Sequence, residues 1–143
     1  DDMQVTNEKG ENWWDPREQS LYIDFSEDRI GSIVARGNRL VPEVMYDALK
    51  QAGIKSEDVD TMITNQPNPI FLRNWREALL LPKEKQVESY EEHGNLFGAA
   101  IPINIERAMN DEARSPEGGY LALGGFSHAG DYAAAAVVQF DQN

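Results

Sequence analysis

The stretch "VDTMITNQPNPIFLRNWREALLLP", Val59 to Pro82, changes character in its middle, and that change decides the fold. Val59 to Thr64 is a short apolar β-type run. Asn65 to Asn68 then supplies turn-forming residues. Asn68-Pro69 provides an N-cap and a first-turn proline for a helix expected over Ile70 to Leu81 and stopped by Pro82. Strand, turn and helix in immediate succession form the repeating unit of an α/β layered domain.

Working outward, the unit recurs. "SLYIDF" (Ser20 to Phe25) alternates like a strand, and Ser26 with Glu27 and Asp28 has the form of an N-cap followed by an acidic first turn. Ile30, Ile33, Val34, Val41, Val44, Met45, Ala48 and Leu49 follow at helical spacing up to Gly53, with "RGN" (36–38) and Pro42 as the place for a kink. Gln86 to Tyr90 is strand-like, "EEHGN" is a turn, and Leu96 to Met109 reads as a helix opening with Gly98, Ala99 and Ala100. The chain ends with two glycine-bounded apolar runs, "GGYLALGGFS" and "GDYAAAAVVQF", too close for a helix between them and so read as an antiparallel pair. The expected class is α/β: a mixed, mostly parallel sheet layered with helices, its strands buried on both faces. Residues 1–20 form an acidic lead-in. Its "GENWWDPREQ" reads as a loop, and Trp13 and Trp14 call for a covering surface, a partner or a missing half; residues 21–143 form the domain.

Composition bounds the function. A chain of 143 residues with 41% hydrophobic and 27% charged residues suits one globular domain with a core. No apolar run approaches the roughly 20 residues that span a bilayer, and the acidic start has no signal-like region, so a cytoplasmic protein without a membrane is expected. The absence of cysteine removes disulfides, thiolate metal sites and a thiol nucleophile from this chain. A net charge of −12 argues against nucleic acid.

Three turns, Asn65 to Asn68, His93 to Asn95 and Ser127 to Gly130, each follow an expected strand. Loops at the carboxyl ends of parallel strands gather at one edge, where ligands sit. Taken singly, an Asn at such a turn is ordinarily a cap, and a His beside Gly a packing residue.

Together, "LVPEVMYDALKQAGIKSEDVDTMITNQPN", "SYEEHGNLFGAAIPINIERAM" and "GYLALGGFSHAGDYAAAAVVQF" resemble the C-terminal half of a β-ketoacyl-acyl-carrier-protein synthase III, a condensing enzyme of the thiolase superfamily. The resemblance runs from about Tyr22 to Phe140, with its blocks in order and in register. It implies a thiolase-like half-fold and an acyltransferase of fatty acid or polyketide synthesis. In such enzymes a cysteine of the N-terminal half takes the acyl group, while His and Asn of the C-terminal half hydrogen-bond the extender's thioester carbonyl and stabilise the enolate.

Carried over, the resemblance assigns Asn95 of "HGN" to the family's asparagine and Asn65 to the position of its histidine, with Asn68 closing the same block. An amide donates a hydrogen bond but carries no proton. Asn65 therefore has two readings: a natural member specialised for acyl transfer or a degenerate subunit, or an engineered His-to-Asn change made to trap a bound substrate. His93 stands where members carry an aromatic residue and is read as packing or rim; His128 and Gly130 are placed at the pocket, with hairpin packing the ordinary role for His128. Arg73 and Arg76 are candidates for the phosphates of coenzyme A or a phosphopantetheine-bearing carrier, although Ile70 stands where members often have arginine. No metal or further cofactor is implied. The expected partners are the N-terminal half with its cysteine, a second copy of the assembled enzyme, and acyl-CoA or acyl carrier protein. The alternative is a non-catalytic thiolase-fold subunit that stabilises a catalytic partner.

Overall fold

The computed structural model describes residues 3–7, 21–25, 27–127 and 130–141. Trp13, Trp14, Ser26 and His128 lie outside them. Strands β1 (Met3–Asn7) and β2 (Leu21–Phe25) pair antiparallel, so the acidic lead-in contains a strand ahead of the stretch read as a loop, which lies outside the described residues. The main sheet has the order β3 (Val59–Thr64), β4 (Tyr120–Phe126), β5 (Ala133–Gln139), with β3 and β4 parallel and β4 and β5 antiparallel.

Helix α1 (Glu27–Ala52) packs on β4, β5 and α2 (Pro69–Ala78), while α4 (Ala100–Met109) packs on β3. Two apolar clusters result. Val41, Met45, Leu49, Met62, Trp75 and Leu79 belong to the one built with α1 and α2; Ile63, Ala108 and Leu121 form the one with α4. Each such large side chain removed from water contributes about 1.5–3 kcal/mol before entropy is charged against it.

Helix α1 runs unbroken through Gly37 and Pro42, where a kink was expected. Gly37 is there for space: a Cβ would meet the rings of Phe71 and Phe126 at 2.8 and 2.9 Å. Its carbonyl also accepts the Trp75 indole N–H at 2.8 Å. Gly37→Ala should therefore lower stability by about 1–3 kcal/mol through overpacking, despite a helix-propensity gain of about 1 kcal/mol. The urea midpoint measures this, and a raised midpoint would show that the rings yield freely.

Other boundaries differ for local reasons. α2 ends at Ala78, short of Leu81, because Leu80 takes φ 57° and the Leu81 N–H returns to Arg76 O at 3.1 Å, closing the helix. The expected strand over Gln86 to Tyr90 reduces to a bridge between Met62 and Gln86, after which "YEEH" is the short helix α3 (Tyr90–His93). The His93–Asn95 turn thus follows a helix and not a strand. Residues Phe97–Ala99 form a 3-10 turn and α4 begins only at Ala100. β3 is buried on both faces as expected, but β5 exposes Ala134, Ala136 and Val138, since α1 packs on it from one side while α4 packs on β3.

Candidate active site

A cleft of about 660 Å³ opens where the end of β3, the loop before α4 and the β4–β5 hairpin meet the first turns of α1. Its polar lining includes Asn65, Asn95 and Ser127; Ile33, Phe71 and Phe126 are among its apolar walls. Tyr132, at 78% exposure, is among the described residues the one lining side chain with an ionisable group. Ile30, Val34 and Phe97 also line the cleft and are 46%, 41% and 52% exposed, leaving apolar surface at its mouth.

Asn65 prolongs the strand ladder with its side chain. Its own N–H bonds Gly124 O at 3.2 Å, and its amide pairs with the peptide groups of Phe126, Nδ2 donating to O at 3.1 Å and Oδ1 accepting from N at 3.0 Å. One hydrogen of the half-buried Nδ2 is used in this way, and the amide has a second to offer. Asn95 is oriented differently: its Oδ1 accepts the Phe97 N–H at 2.9 Å, a local turn that leaves Nδ2 without a partner among the described residues. Phe97, at φ 53°, holds a conformation costly for a side chain of its size. Gly94, at φ 67°, makes the preceding corner.

The two asparagines assigned from the sequence thus line one cleft. The other assigned residues have different surroundings. Asn68 caps α2, its Oδ1 accepting from Phe71 N at 3.0 Å, and lies off the cleft lining. Gly130 is buried in the hairpin turn at φ 78°, where a Cβ would meet Ile33 and Phe126 at 3.1 Å. Arg73 is exposed on α2, and Arg76 donates to Leu81 O at 2.8 Å and contacts Glu77 at 3.3 Å. His93 sits on the surface 3.9 Å from Glu92. The Arg107 guanidinium forms a two-pronged pair with Glu92, tying α3 to α4, and its hydrogen bond holds the Glu92 carboxyl below its ordinary range. Among the described residues no three His, Asp or Glu side chains are grouped to hold a metal.

Residues not singled out from the sequence complete the site. Gln66, Ser89 and Asn104 are 0%, 2% and 0% exposed and form one hydrogen-bonded network behind the cleft. The legible signal was Asn104, a polar residue amid the isoleucines of α4.

A layered α/β half-fold with a cleft at the carboxyl end of β3, two amides in it and apolar surface at its mouth defines a thiolase-like module. The chain belongs to the 3-oxoacyl-[acyl-carrier-protein] synthase III C-terminal family, whose pattern matches residues 49–140. Curated relatives include β-ketoacyl-[acyl-carrier-protein] synthase III of Synechocystis, 32% identical over 97 residues, which are 68% of this chain and 29% of that protein. The enzyme of the same name from Aquifex aeolicus is 32% identical over 101 residues, 66% of this chain and 33% of its own length. The structure superposes on β-ketoacyl-[acyl-carrier-protein] synthase III from Thermus thermophilus with a TM-score of 0.75 at 25% identity, covering 90% of this chain and 39% of that one. The fold is also that of the priming β-ketosynthase of the R1128 polyketide pathway, TM-score 0.78 at 18% identity. This chain therefore spans about a third of the length of these relatives.

Proposed function

We propose that the chain is the C-terminal half of a ketosynthase III-like acyltransferase that binds a thioester in this cleft and favours acyl transfer over decarboxylative condensation. One observation carries the reading: the cleft places two side-chain amides among apolar walls and, among the described residues, provides no ionisable lining group apart from exposed Tyr132. Two N–H donors aimed at one carbonyl oxygen polarise a thioester, and the apolar walls strengthen that interaction by excluding water. An amide carries neither the positive charge of an imidazolium nor a proton. Stabilising the full negative charge of an enolate is thus weaker here than in a site with histidine, whereas acyl transfer asks only for carbonyl polarisation.

The nucleophilic cysteine would come from an N-terminal half. The exposed Ile30, Val34 and Phe97 at the cleft mouth, and Trp13 and Trp14 of the lead-in, are suited to being covered by it, and a second copy of the assembled enzyme would complete the particle. The thioester would be acyl-CoA or acyl carrier protein. Exposed Arg73 makes no ion pair among the described residues and serves either phosphate, while a net charge of −12 disfavours an acidic carrier except at a local basic patch. Asn68 and Gly130 support the turns around the substrate, and His128 stays a candidate from the sequence alone.

The test is to supply the full-length protein with a labelled acyl thioester and, separately, with a labelled malonyl thioester. Acylation of the protein and passage to an acceptor thiol, with little carbon dioxide release, is the expected result. Brisk decarboxylation would overturn the preference stated here. The bond from Asn65 to Phe126 favours a second reading, a non-catalytic subunit whose Asn65 only braces the sheet; that reading requires a companion chain with its own complete catalytic set and no acylation dependent on this cleft.

A further inference from the structure

We infer that Gln66 is a positioning residue that sets the separation of the two cleft amides. Gln66 is the residue after Asn65, and Gly94 the residue before Asn95. The Gln66 Nε2 donates to Gly94 O at 2.7 Å and to Ser89 Oγ at 3.2 Å, while its Oε1 accepts from Ser89 N at 3.1 Å and Asn104 Nδ2 at 3.2 Å. Every donor and acceptor of this fully buried amide is therefore used, and its partners come from the start of α3, the corner before Asn95 and α4. Buried networks of this kind are rigid because each lost bond strands a polar group away from water. The bridge from Asn65 to Asn95 is short: one peptide, one side chain, one hydrogen bond and one peptide.

Other ties on the Asn95 segment are local or exposed: the Gly94 N–H bonds Tyr90 O at 2.7 Å within the turn that closes α3. The Glu92–Arg107 pair is exposed, and Asn95's own bond to Phe97 N is internal to the turn. The corner at Gly94 has the backbone freedom of glycine and no side chain to pack, so its carbonyl needs an external anchor to hold one position. Gln66 supplies that anchor.

The consequence for rate rests on the reading of Asn65 and Asn95 as joint donors to a thioester carbonyl. The experiment compares Gln66→Leu and Gln66→Glu in the full-length protein, with Asn95→Ala as reference. Displacing one donor by about an ångström costs up to a hundredfold, so Gln66→Leu should lower kcat about tenfold to a hundredfold, with a smaller change in KM and no recovery at any pH. In Gln66→Glu the ionised carboxylate opposes Gly94 O and kcat falls similarly; once protonated, its O–H donates to that carbonyl while the other oxygen still accepts from Ser89 and Asn104. Burial raises the pKa of such a carboxyl, so kcat relative to wild type should climb as the pH is lowered from about 8 towards 5.5, in step with return of the Asn95 side-chain NH₂ resonance to its wild-type shift. A purely structural role would lower the melting temperature and leave kcat per folded molecule and the Asn95 resonance at wild-type values; that result overturns the inference. If Asn95→Ala also leaves kcat unchanged, the donor reading of the cleft fails instead, while the Asn95 resonance still reports whether Gln66 positions it.

Discussion

Asn65→His is expected to raise decarboxylative condensation by about 10²–10³-fold, the size of effect that accompanies one donor aimed at developing charge. An imidazole at residue 65 can accept the Phe126 N–H on Nδ1, as Asn65 Oδ1 does at 3.0 Å, and present Nε2 to the cleft. It then presents an ionisable N–H to the cleft, where among the described lining residues only exposed Tyr132 carries an ionisable group. The cost is the bond from Asn65 Nδ2 to Phe126 O at 3.1 Å, so the variant should be somewhat less stable even as it gains activity. Assays with an acyl and a malonyl thioester in the full-length protein measure the gain, and acylation of the nucleophile should change far less. An unchanged condensation rate in a folded variant would return Asn65 to the role of a brace between β3 and β4.

Trp75→Ala should cost about 3–5 kcal/mol, a large part of the 5–15 kcal/mol by which such domains are stable. Trp75 is fully buried, its ring lies 5.3 Å from that of Phe71 and 6.4 Å from that of Phe126, and its Nε1 bonds the Gly37 carbonyl. Truncation leaves a cavity and an unpaired carbonyl together. Phe126 is both the floor under these rings and the partner of Asn65, so the variant should weaken thioester binding as well. Denaturant titration reads the first effect and a binding isotherm the second. A loss below about 1 kcal/mol would mean that α1 and α2 collapse into the space.

The parts of the fold visible in the sequence were those governed by local chemistry. Val59 to Thr64 was a short apolar β-type run and became β3; Asn68-Pro69 started α2; the two glycine-bounded runs became β4 and β5. What escaped depended on contacts made far along the chain. The "RGN" segment looked like a place for a kink, and its Gly37 is a seat for two rings from other elements. Gln86 to Tyr90 had a strand's pattern, yet Ser89 is committed to Gln66, 23 residues away, and opens a helix. The pairing of Asn65 with Asn95 followed from a resemblance of blocks, because no periodicity brings residues 30 apart into one cleft. Gln66 was passed over as one amide among several in a turn; only burial and its four hydrogen bonds to three residues distinguish it.

The account turns on two amides sharing one carbonyl oxygen, and a crystal structure of the full-length protein with a non-reactive thioester analogue tests that directly. The expected result is a thioester oxygen lying between Asn65 Nδ2 and Asn95 Nδ2, at about 2.7–3.1 Å from each, with Asn65 still paired to Phe126. A thioester bound with its carbonyl away from both amides, or a cleft filled by protein from the other half, would contradict it.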